Sequence, residues 1–70
     1  MAYYTLCTKD EDSNLHPQFG DKSLKTVLEE KSEYRGQWKI IVRSDSAHKS
    51  SVEKAIASMQ ARLKELSTHS

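Results

Sequence analysis

The sequence predicts a single small α+β domain over residues 1–70: an antiparallel sheet of two or three strands with two helices packed on one face, in the order β–β–α–β–α. Three observations carry that expectation. Val52, Ala55, Ile56, Met59, Leu63 and Leu66 recur at helical spacing and form one apolar stripe, which must pack on something. Trp38-Lys-Ile-Ile-Val-Arg43 has the β-branched content of a strand, with Trp38, Ile40 and Val42 on one side and Lys39, Ile41 and Arg43 on the other. Tyr3 to Thr8 is a third run rich in aromatic and β-branched residues.

Taken in chain order, Tyr3–Thr8 is the first strand, and the polar run Lys9-Asp-Glu-Asp-Ser-Asn14 is a turn. Leu15–Phe19 returns as a short second strand. Pro17 has no N–H to offer a ladder, so that strand belongs at an edge. Gly20 permits a turn, and Asp21 or Ser23 can cap a helix over about 22–34, whose apolar face holds Leu24, Val27, Leu28 and Tyr34. Gly36 stands where a helix end favours a left-handed residue. After the strand 38–43, a polar loop leads to the last helix, Ser51–Leu66. There Ser50 and Glu53 have the spacing of a reciprocal cap. Trp38 reads as a core anchor.

Composition narrows the function classes. Hydrophobic residues make up 36% and charged residues 30% of the chain, which describes a globular domain with a thin core. The single cysteine, Cys7, allows no internal disulfide and no thiolate metal cluster, and fits a reducing, cytoplasmic setting. No apolar run is long enough for a membrane span, and the first residues lack the pattern of a signal peptide.

No catalytic, cofactor-binding or metal-ligating residue is expected. His16, His48 and His69 are dispersed, without ligand spacing. Cys7 falls inside a strand, where a small buried hydrophobe is the ordinary role. With glycine only at 20 and 36, there is no phosphate-cradling loop. The cluster Asp10-Glu11-Asp12 lacks the spacing of a calcium loop. The expectation is therefore not an enzyme.

Charge is the remaining signal. The net charge is +1, too little for a dedicated nonspecific nucleic-acid binder. Its distribution is uneven: residues 1–34 hold four lysines and seven acids, whereas residues 35–70 hold seven cations and three acids. The candidate partner-binding residues are Asp10, Glu11 and Asp12 with the neighbouring His16 and Phe19. An alternative basic patch is Arg35, Lys39, Arg43 and Lys49, to which nucleic acid would be the matching partner.

The run Tyr3-Tyr4-Thr5-Leu6, an acidic turn, then Pro17-Gln18-Phe19-Gly20-Asp21 opening a glutamate-rich helix resembles a group of short, uncharacterised proteins of tailed bacteriophages and prophages. Their pattern has an aromatic residue where this chain has Leu15, and a tyrosine where it has Lys22. The resemblance implies a compact α+β fold and a phage origin, and brings no activity with it. Joined to the charge pattern, it suggests a non-enzymatic protein-binding module acting in the cytoplasm of a bacterial host, as a phage-encoded inhibitor of a host or defence protein. The alternatives are a small nucleic-acid-associated regulator and a homo-oligomeric structural or morphogenetic component, a homodimer among them.

Overall fold

The computed structural model describes residues 2–68. Its elements are β1 (Tyr3–Lys9), β2 (Leu15–Asp21), α1 (Leu24–Lys31), β3 (Lys39–Ser44) and α2 (Lys49–Thr68). The strands form one three-stranded sheet in the order β2-β1-β3. Both pairings to β1 are antiparallel. The expected class, sheet and element order are all present.

The placing of both helices on one face is corrected by burial. Leu6 and Cys7 are neighbours in the extended β1, so their side chains leave opposite faces of the sheet. Both are fully buried. Each face must therefore be covered. On one face Cys7, Leu15 and Val42 form a buried cluster, against which Ile40 and the α2 residues Ala55, Ile56, Met59 and Leu63 pack. On the other face lies Leu6, flanked by Phe19 and Ile41. That face falls to α1, which packs on β1 and β2 and buries its own Val27 completely. Of the apolar stripe of α2, Ala55, Ile56, Met59 and Leu63 pack on the sheet as the spacing predicts, whereas Leu66 is 70% exposed beyond the end of the core; α1 takes the other side.

Three local details differ from expectation for identifiable reasons. First, α1 ends at Lys31 rather than near 34. Ser32 Oγ donates to the Glu29 carbonyl at 2.6 Å, and the chain continues as tight turns, with Glu33 N bonding Glu30 O and Tyr34 N bonding Lys31 O. Gly36 is left-handed (φ 76°), but it serves the connection to β3 and not the helix end. Second, α2 starts early enough to enclose Ser50, so the Ser50–Glu53 cap does not form. Val52 N bonds His48 O at 3.0 Å, and Glu53 lies 3.9 Å from Lys49 Nζ instead. Third, β2 reaches Asp21, past the expected end at Phe19. Its register shifts opposite Leu6 and Cys7, where Pro17 and Phe19 find partners and Gln18 does not. A bulge is the ordinary way for a strand to pass a residue without an amide hydrogen.

Candidate functional site

The bulge has a direct effect on the candidate residues. Without it, His16 and Phe19 would point to opposite faces, being three residues apart. With it, His16 pairs with Thr8 and Phe19 with Leu6, so both lie on the α1 side of the sheet. Phe19 is half-buried beside Leu6, and His16 stays exposed near the hairpin tip.

At that tip the three acids are not equivalent. Asp10 is folded back into its own turn. Its Oδ1 accepts from the amides of Asp12 and Asn14, at 2.9 Å each. Its Oδ2 lies 2.9 Å from His16 Nε2 and accepts from Asn14 Nδ2 at 3.4 Å. Backbone bonds from Asp10 N to Asn14 O and from Ser13 N to Asp10 O, both 3.1 Å, close the loop. Ser13 takes the left-handed conformation the turn needs (φ 65°). The His16 bond, followed by the amides converging on the carboxylate, holds Asp10 well below the usual carboxylate range. Glu11 and Asp12 remain exposed. One further bond, from Leu15 N to Gln60 Oε1 at 2.8 Å, ties the base of the hairpin to α2. Asp10 and His16 thus fix the turn, and Glu11 and Asp12 are what it presents.

The alternative basic residues are not brought together. Lys39 spends its ammonium on the carbonyls of Tyr34 and Gln37, closing the connection that precedes β3. Arg43 shares a side of β3 with Lys39 and Ile41, as the alternation predicts, but sits at the far end of the strand. Arg35 is exposed in the preceding connection, and Lys49, with a side chain 90% exposed, opens α2. Arg43 instead shares with Lys54 the lining of a surface cavity of about 320 Å³, together with Ser44, Asp45, Ser51, Ala55 and Ser58. Sequence reasoning passed over Lys54, although Ser51, Lys54, Ala55 and Ser58 share one helical face.

Trp38 is not the expected core anchor. It lies just before β3, is not among the residues packed on the buried cluster, and is 41% exposed. The Lys9 ammonium sits 4.5 Å from its ring centroid. Cys7 is buried, and that burial pushes its thiol up to about 11. It is protonated at neutral pH, and among the described residues the thiol makes a weak contact to the Thr5 carbonyl. His48 is exposed at the start of α2, and His69 lies outside the described residues. Among the described residues, no group of three His, Cys, Asp or Glu side chains is placed to hold a metal ion. No described helix is long and apolar enough to cross a membrane. No family model, curated protein or solved structure matches the chain.

Proposed function

We propose that the chain is a non-enzymatic protein-binding module whose β1–β2 tip contacts a basic patch on a partner protein. The observation that carries this reading is the division of roles within the acidic turn. Asp10 is consumed in fixing the backbone, and Glu11 and Asp12 are left exposed on a turn already ordered. A preordered turn loses less conformational freedom on docking than a flexible one. Charges held at fixed positions also steer a complementary surface toward the right approach. The resemblance to phage proteins gives this reading its biological form, inhibition of a host or defence protein. The separation of Arg35, Lys39, Arg43 and Lys49 offers a nucleic-acid backbone no continuous track.

The test uses the double variant Glu11→Lys, Asp12→Lys, which leaves Asp10 and its bonds in place. A protein captured by the wild-type chain from bacterial lysate is purified and titrated against both chains. The expected result is slower association by the variant, a changed salt dependence and an unaltered melting temperature. Equal affinity in both chains would remove the tip as the contact.

A further inference from the structure

The two edges of the sheet are not equally open. β2 carries Pro17, which has no amide hydrogen, and the register shift around Gln18; both interrupt a ladder. β3 pairs with β1 without interruption from Tyr3↔Ser44 to Thr8↔Lys39. It contains neither proline nor bulge, and no described strand lies on its other side. Alternate residues of such an edge turn their N–H and C=O groups outward.

At the C-terminal end of this strand lies the cavity of about 320 Å³, walled by Arg43, Ser44 and Asp45 on one side and by Ser51, Lys54, Ala55 and Ser58 of α2 on the other. The helix wall is built mostly of small side chains, which leaves room for those of an incoming strand. Its two cations come from different elements, and neither has an anionic partner in the described structure.

We propose that this edge and groove receive an acidic extended segment of a partner protein, which adds to the sheet as a fourth strand alongside β3. Main-chain bonds to an open edge supply affinity, and side-chain pockets on either side supply selection. Charge identifies the occupant. Arg43 and Lys54 both line the groove, and Lys39, its ammonium held by the Tyr34 and Gln37 carbonyls, adds positive charge at the other end of the strand. A second copy of β3 is badly matched, because antiparallel pairing symmetric about Ile41 sets Lys39 against Arg43 at both ends, and like charges directly opposite are destabilising. Acidic residues at those positions turn the repulsion into attraction. The groove lies at the opposite end of the sheet from the acidic tip, since Ser44 pairs with Tyr3 while Leu15 pairs with Lys9.

The test is a titration of isotope-labelled protein with a short capped peptide alternating glutamate and valine, followed by amide shifts. Two control peptides are used: one with lysine for glutamate, and the glutamate peptide N-methylated at alternate backbone amides. The expected result is shifts confined to residues 39–45 and 51–58, with affinity falling about tenfold in Lys54→Glu and in Arg43→Glu. Neither control peptide should bind comparably. No binding of the glutamate peptide, equal binding of either control, or shifts centred on the tip would overturn the proposal. So would a concentration-dependent doubling of mass by light scattering that Arg43→Glu strengthens, since the occupant would then be a second copy. The Glu11→Lys, Asp12→Lys variant should bind the peptide like wild type, so failure at the tip and failure at the groove remain distinguishable.

Discussion

Asp10 shows what several donors converging on one carboxylate do to a turn. Its pKa in the folded chain lies below the unfolded value of about 4, chiefly through His16, so on acidification the unfolded chain takes up the proton first. The stability that ionised Asp10 contributes is therefore present above about pH 4 and is lost as pH falls from there through the folded value. Melting temperature measured against pH should fall more steeply in that acid window for wild type than for Asp10→Asn, which has no charge to lose. Parallel curves would mean that the bonds at the tip do not contribute to stability. Thr5 presents the reverse case. It is 4% exposed, and its Oγ1 is buried without a hydrogen-bond partner. Thr5→Val replaces that hydroxyl by a methyl of the same shape, so the variant should be more stable by about 1 kcal/mol in urea unfolding. A loss of stability would show that the hydroxyl has a bonding role.

At the scale of elements, Gly20 and Tyr3 make one unit across the β1–β2 ladder. A Cβ added at Gly20 would lie 2.9 Å from the Tyr3 ring and would also meet its hydroxyl. The ring covers the bare backbone of the glycine, a known device for holding register at such positions. Gly20→Ala should cost about 1–3 kcal/mol, and much of that cost should vanish in a Tyr3→Ala background, as a double-mutant cycle can show. Additive effects would separate the two residues. The elements themselves were legible because alternation in 38–43 and the stripe from Val52 to Leu66 follow directly from strand and helix geometry. The layering was not. A helical stripe says that a face is buried and is silent on which side of a sheet buries it. The clue lay in Tyr-Tyr-Thr-Leu-Cys-Thr, which lacks an apolar/polar alternation, as suits a strand covered on both faces. The failed cap at Ser50 is a local matter. Two serines and a lysine precede Val52, and spacing alone does not choose among several polar starting points.

Across the whole molecule, the sequence marks the charges and the fold decides their use. Asp10, Glu11 and Asp12 were equal members of a cluster until the turn separated them by role. Lys39 and Arg43 shared a strand side, yet Lys39 closes a loop while Arg43 reaches a groove. Lys54 was invisible as a site residue because its partner comes from another element. The bonds inside the tip also have a consequence in time. The hairpin joins residues close in sequence, whereas β3 and α2 reach β1 only after a longer excursion of the chain. Local closures of that kind are cheap in loop entropy and favour an early nucleus. Refolding should therefore slow in Asp10→Asn with little change in unfolding, while Leu63→Ala, on the late-arriving helix, should mainly speed unfolding, as stopped-flow measurements of both limbs would record. The same few bonds that hold the tip still in the finished molecule would then set the pace at which the rest is assembled.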